Sequence, residues 1–336
     1  MTKADVLARA TVRKVAKFAV KIVGESAVYR LLLSAARFGN ARNLKMVART
    51  AHRGMAILEH RVPEFPTYAP YAGRRLHFPS RSMIGQLAAR GEIWDVIIVK
   101  VLGSTHIVPT SIVEVGSNIG ASLLPLLQMF PDAKAIAIEP SRRYAPYLRR
   151  SVSADHSVTI IDDVLLGATD GDKFVLRTNH TTGTASNADY GGHFTGEEVV
   201  QSKTLDTLLD DLEKSRGQIF AVDFLKVDTD GFEMDVFQGA VRSIKQYKPL
   251  IFLEFSPRHL ARLGDPAAFL EFLRGELMCK DFLVLSDSGN ILGWAETYED
   301  ILKLEGEDYY VNLFTAPSGS SFLAPLKRFV KVPNAL

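Results

Sequence analysis

The chain has 336 residues, 47% of them hydrophobic, and a formal net charge of +2. That length supports a large core, either one extended α/β domain or a domain with an appendage. The near-neutral total gives no general case for nucleic acid. The single cysteine, Cys279, excludes an intramolecular disulfide and a multi-cysteine zinc site.

Residues 1–60 hold twelve Lys/Arg against Asp5, Glu25 and Glu59, a local net of +9, so the remainder is net −7. ADVLARATVRKVAKFAVKIV puts Arg9, Arg13, Lys17 and Lys21 on one stripe at steps of four. The spacing predicts helices over 4–60, with a break at Gly39-Asn40. No uncharged apolar run reaches the roughly 20 residues a bilayer span needs. Arg13, Lys14, Lys17 and Lys21 also interrupt any secretory h-region. The expected location is the cytoplasm, with peripheral contact to an anionic membrane through residues 1–60 as one reading. A helical cap whose charged side faces water is the plainer one.

Residues 61–82 carry Pro63, Pro66, Pro70 and Pro79 and read as an irregular linker. The expected division is therefore 1–82 as a basic helical extension with a Pro-rich linker, and 83–336 as the main domain. GEIWDVIIVKVLG (91–103) is apolar enough for a buried helix. From 111 the pattern alternates. Strands are expected at SIVEV (111–115), AIAIE (135–139), VTIID (158–162), AVDFLKVD (221–228), PLIFLEF (249–255), DFLVLS (281–286) and YYVNLFTAP (309–317), with helices between several of them. Short β-like pieces fall at 173–177 and 198–203. The expected fold class is α/β, Rossmann-like, with a mainly parallel sheet covered on both faces.

Val113-Glu-Val-Gly-Ser-Asn-Ile-Gly120 leaves the first of these strands. Its glycines let a ligand approach the main chain. Their spacing is not the Gly-x-Gly-x-x-Gly that cradles a pyrophosphate. Glu139 ends the next strand, 19 residues past Gly120, where a carboxylate can bridge ribose hydroxyls. Glu114 beside the loop would repel phosphate and favour a sulfonium. Gly116, Ser117, Asn118, Gly120, Glu114 and Glu139 thus read as a site for S-adenosylmethionine.

EVGSNIG followed by AIEPS resembles the first two motifs of the class I S-adenosylmethionine-dependent methyltransferases. KTLDTLL (203–209), FLKVDTDGFEMDVFQGA (224–240), PLIFLEF and YYVNLF (309–314) together resemble the FkbM family of methyltransferases, over about 111–315. Glu114 stands where the family usually has aspartate, Ser117 where it has alanine, and Asp230 where it has glutamate. The resemblance implies a seven-stranded sheet in the order 3-2-1-4-5-7-6. It also implies methyl transfer to a hydroxyl of a sugar, glycolipid or natural-product acceptor, and an adenine contact from Asp162 or Asp163. It says nothing about residues 1–80.

Asp228 and Asp230 end the fourth strand just before Gly231. A carboxylate there could face the donor or accept the acceptor's proton. Capping of the following helix is the alternative. His180 and His193, in a polar stretch, are further candidate bases. Glu254 with Asp228 could hold a divalent ion such as Mg²⁺, or simply close the pocket floor. Asp206 matches the family's threonine-leucine-aspartate element and could equally be a helix cap. Two rival functions remain at this stage. One is a nucleic-acid methyltransferase, which the +9 segment supports but for which the sequence shows no aromatic-interleaved basic motif or RNA module. The other is a non-catalytic nucleoside-binding scaffold whose N-terminal helices recruit a partner or membrane.

Overall fold

The computed structural model describes residues 24–41, 47, 49–51, 54–55, 64–178, 185–186, 196–217, 219–257, 260, 264–286, 288–305 and 310–329. The stripe Arg9–Lys21, His180 and His193 lie outside them.

An eight-stranded sheet forms the centre. From one edge it runs β13 (Ile291–Ala295), β12 (Phe282–Ser286), β14 (Val311–Thr315), β11 (Leu250–Phe255), β10 (Phe224–Val227), β3 (Ser111–Val115), β4 (Lys134–Ile138) and β5 (Val158–Ile161). Strands β11 to β5 are parallel, while β14, β12 and β13 pair antiparallel. The sheet has eight strands where seven were expected. The additional one, β13, adds to β12 at the edge and its sequence, ILGWA, is only half-buried.

The strands are almost wholly apolar because both faces are covered. Alternation divides their side chains between two cores. Ile112, Phe224, Phe252 and Phe314 join one core, together with helices α1 (Glu25–Ala41), α2 (Met83–Arg90), α3 (Val96–Thr105), α4 (Leu123–Met129) and α5 (Ala145–Ser151). Val113, Leu225, Leu253 and Leu313 join the other, with α6 (Leu205–Arg216), α7 (Glu233–Gln238), α8 (Val241–Tyr247), α9 (Pro266–Gly275) and α10 (Tyr298–Glu305). Helix α11 (Leu323–Phe329) buries Leu326 in the first core.

The segment expected as an irregular linker is a β-hairpin, β1 (Pro66–Tyr71) with β2 (Arg74–Pro79). Ala72 (φ 46°) and Gly73 (φ 71°) make its two-residue turn, with the positive φ values that a twisted hairpin requires. Ala69, Tyr71, Leu76 and Phe78 are buried in the first core, as are Tyr29 and Leu33 of α1. Among the described residues, then, the hairpin and α1 share a core with the main sheet. Helix α1 begins after Gly24 (φ 80°) and ends at Ala41, just past the expected break.

A second, four-stranded sheet is ordered β6 (Val164–Leu166), β9 (Gly196–Lys203), β7 (Lys173–Thr178), β8 (Ala185–Ser186). Its inner side chains Leu165, Leu176 and Val200 pack on Phe232, and Phe174 meets Phe232 edge-on at 5.5 Å. This sheet therefore rests on the turn that follows β10.

Candidate active site

The C-terminal ends of β3, β4, β10 and β11 meet in one place, where open α/β sheets bind ligands. The loop after β3 is held from two sides. Gly116 and Ser117 both donate their N–H to the Ile138 carbonyl, at 3.0 Å each. Gly116 (φ 83°) lies so close to the next strand that only glycine fits. Ser117 Oγ donates back to the Glu114 carbonyl, and Asn118 (φ 48°) and Gly120 (φ 89°) complete the turn in left-handed conformations.

Glu139 clamps that loop. Its Oε2 accepts the Asn118 N–H at 2.8 Å and its Oε1 the Ser141 N–H at 2.9 Å. Each oxygen keeps a lone pair for a ligand hydroxyl. Burial pushes the carboxyl up to about 7 against the pull of those two N–H groups; Glu198 and Glu114 add to the rise.

Glu114 is fully buried. Ser122 Oγ donates to its Oε1 at 2.5 Å, while its Oε2 has no hydrogen-bond partner. Burial raises its pKa, and Lys226, Ser122 and Ser117 oppose the rise. Glu114 stands directly opposite Lys226 in the β3–β10 register. Lys226 is 1% exposed; its Nζ lies 2.8 Å from Asp228 Oδ2 and 3.3 Å from Asp95 Oδ2. Burial alone would lower the ammonium's pKa, but Asp228, Asp95 and Glu114 outweigh it and push it up.

The acids after β10 divide their work. Glu233 Oε1 accepts the N–H of Thr229 (3.0 Å), the Thr229 hydroxyl (2.9 Å) and the N–H of Gly231 (3.2 Å), and so braces the turn. The N-cap of α7 is Phe232, with no side-chain cap. Asp230 sits half-buried in a left-handed conformation (φ 54°) before Gly231. Burial, then Asp228, Glu233 and Glu139, raise its pKa well above the ordinary range. Burial, then Asp228, Asp230 and Glu233, raise the pKa of Glu254, with a side-chain hydrogen bond to Asp228 adding to the rise.

That hydrogen bond bears on the metal candidate. Asp228 and Glu254 lie close enough to hydrogen-bond to each other. Among the described residues no group of three or more His, Cys, Asp or Glu is arranged to hold one. Asp162 has both oxygens bound by Arg149, at 2.5 and 2.7 Å, and Asp163 is exposed. Asp206 caps α8, accepting the N–H groups of Arg242 and Ser243 at 2.9 and 2.8 Å. Thr204 caps α6 through Thr207 N–H.

Sequence reading missed Lys226, Asp95 and Tyr71. The first had a signal, a lysine inside an otherwise apolar buried strand. The Tyr71 hydroxyl donates to the Ala121 carbonyl at 2.8 Å and accepts the Trp94 N–H at 2.9 Å, which ties the hairpin to the glycine loop and to the start of α3.

A mainly parallel sheet with a glycine turn and an acid-lined crevice at its strand ends defines a Rossmann-like fold of the methyltransferase kind. The family model for the Methyltransferase FkbM domain matches residues 114–282, about half of the chain, and the chain belongs to that family. No protein of curated function matches it by sequence. Among solved structures it is similar to methyltransferase FkbM from Methylobacillus flagellatus (16% identity, TM-score 0.37, 69% of this chain and 52% of that one). It is also similar to a methyltransferase from Geobacter sulfurreducens (15%, 0.36, 80% and 96%). A third likeness is to precorrin-6y C5,15-methyltransferase from Geobacter metallireducens (12%, 0.34, 66% and 87%).

Proposed function

We propose that the protein binds S-adenosylmethionine at the ends of β3, β4 and β10 and transfers a methyl group to a hydroxyl oxygen of a sugar, glycolipid or natural-product acceptor. The observation that carries this reading is the charge of the crevice. Glu114, Glu139, Asp228, Asp230 and Glu254 converge there, with Lys226 the cation among them. Such a site repels phosphates and favours a ligand with positive charge and no phosphates. The orphaned Glu114 Oε2 and the open lone pairs of Glu139 fit an ammonium and ribose hydroxyls.

When bound, the donor supplies a methyl group on a positively charged sulfur. The chain's own residues do the rest. Glu139 holds the glycine loop and presents oxygens to the ribose. Asp228 sets negative charge beside the sulfur. Asp230, made more basic by burial and its neighbours, would take the acceptor's proton as the new C–O bond forms and the sulfur–methyl bond breaks to leave a neutral thioether. The basic segment 1–60 serves as a peripheral contact to an anionic membrane, where lipid-linked acceptors would lie.

Calorimetry with S-adenosylhomocysteine tests the reading, and Glu139→Ala should weaken binding by about 1–3 kcal/mol, the scale of unpaired buried polar groups. Tight binding of NADH with no response to S-adenosylhomocysteine would overturn it.

A further inference from the structure

Lys226 raises a problem of charge. A buried ammonium 2.8 Å from Asp228 should offset the negative charge that this side chain sets beside the sulfur in the reading above. The resolution lies in Asp95, which belongs to a segment before the matched family domain. Asp95 adopts a left-handed conformation (φ 51°) at the start of α3, is 15% exposed at its side chain, and places Oδ2 3.3 Å from the same Nζ. The Tyr71 hydroxyl fixes the neighbouring Trp94 N–H and the glycine-loop side at Ala121, so α3 is held against the site. Lys226 and Asp95 sum to zero. Asp228, 25% exposed at its side chain, is then the carboxylate of the group that opens toward the crevice.

We infer that Asp95 is a positioning residue that neutralises Lys226, so that Asp228 keeps its charge for the cationic end of the methyl donor. This rests on the donor reading above. Glu114, Glu254, Asp230 and Glu233 also face the cluster, and all four remain in the variants that test it.

The test compares two ligands by calorimetry. Sinefungin carries a charged amine at the place of the sulfonium, and S-adenosylhomocysteine carries a neutral thioether there. Asp95→Asn leaves Lys226 to neutralise Asp228, so sinefungin should lose about tenfold or more in affinity while S-adenosylhomocysteine changes by less than about threefold. Asp95→Asn combined with Lys226→Met removes one charge of each sign and should restore the preference for sinefungin. A merely structural role predicts no such rescue. Equal losses of both ligands in Asp95→Asn overturn the inference, as does a double variant that binds S-adenosylhomocysteine without regaining the preference. If the double variant does not fold, the selectivity of Asp95→Asn decides alone. Wild-type protein that binds neither ligand overturns the donor reading, and this inference with it.

Discussion

Gly116 and Asp228 meet backbone to backbone: a Cβ on Gly116 would stand 1.7 Å from the Asp228 carbonyl oxygen. The Asp228 N–H already bonds the Val115 carbonyl at 3.1 Å, so the two strand ends are joined just where each turns into the site. The glycine loop and the acidic turn consequently form one rigid unit. A change in one displaces the other.

Gly116→Ala should therefore destabilise the fold by about 3 kcal/mol or more, from the left-handed φ and the overlap together. Gly171→Ala is the matched control. It has a similar φ of 86° but nothing within 4 Å of the added carbon, so only the backbone penalty of about 1 kcal/mol applies. Denaturant melts of both variants measure the difference. Equal losses would show that the contact with Asp228 is not tight.

Glu139 gives a pH prediction. Burial lifts its carboxyl from the ordinary 4.5 to about 7 in the folded chain. Between those values the folded chain holds a proton that the unfolded chain has released. The stability this contributes is fully present below about pH 4.5 and is lost as pH rises to about 7, a change of at most about 3 kcal/mol. Urea melts of wild type and Glu139→Gln across this window should show the wild type losing ground as pH rises. A constant gap between them would mean that the carboxyl titrates alike in both states.

The strands and the glycine loop were legible because buried parallel strands read as apolar runs ending at glycine or acid. The hairpin was not. Its prolines were read as breakers, yet Pro66, Pro70 and Pro79 sit in a two-stranded sheet whose outer edges need no partner. Asp228, Asp230 and Glu139 were legible as strand-end acids. Asp95 was not, since only the packing of α3 on the sheet brings it to Lys226. Strand β13 escaped because Ile291–Ala295 carries a glycine and is half-buried, without the continuous apolar pattern of its neighbours.

One polar clasp on helix α1 comes from Arg37. The Arg37 guanidinium donates to the carbonyls of Ala88 (2.6 Å), Ala89 (2.7 Å) and Pro70 (2.7 Å), covering the C-terminal end of α2 and the hairpin. Arg37→Ala should cost about 2 kcal/mol and expose α1 to proteolysis, with binding of S-adenosylhomocysteine unchanged. Limited proteolysis with mass mapping checks this. Protection equal to wild type would show that apolar packing of Tyr29 and Leu33 holds the helix without the clasp.

The basic N-terminal segment gives a third kind of measurement. Contact between anionic lipid and Arg9, Arg13, Lys17 and Lys21 predicts flotation with phosphatidylserine liposomes that weakens at high salt. Deleting residues 1–23 removes that stripe and leaves α1 in place, and flotation should be lost. Equal flotation with neutral liposomes would assign the segment to a helical cap.

Asp228 and Asp230 separate structure from chemistry most directly. Glu233 braces their turn, so replacing either carboxylate by an amide should leave the melting midpoint close to wild type. Their surroundings then distinguish their roles. Asp228 faces Lys226 and Glu254, whereas burial and three neighbouring acids raise the proton affinity of Asp230. A base must be deprotonated before it acts, so turnover should rise with pH as Asp230 titrates. Asp230→Asn should bind S-adenosylhomocysteine normally yet lose roughly 10²–10⁴-fold in turnover, with that rise abolished. Asp228→Asn should instead weaken binding of the cationic donor more than that of its neutral product. A screen of glycosides with free hydroxyls supplies the acceptor for the assay. Chelator should leave wild-type turnover unchanged, because among the described residues no group of three or more His, Cys, Asp or Glu is arranged to hold an ion. Loss of activity by chelator, restored with Mg²⁺, would make Asp228 and Glu254 metal ligands after all. Full turnover by both Asn variants would remove the two aspartates from the chemistry and leave the acid cluster a role in ligand binding alone.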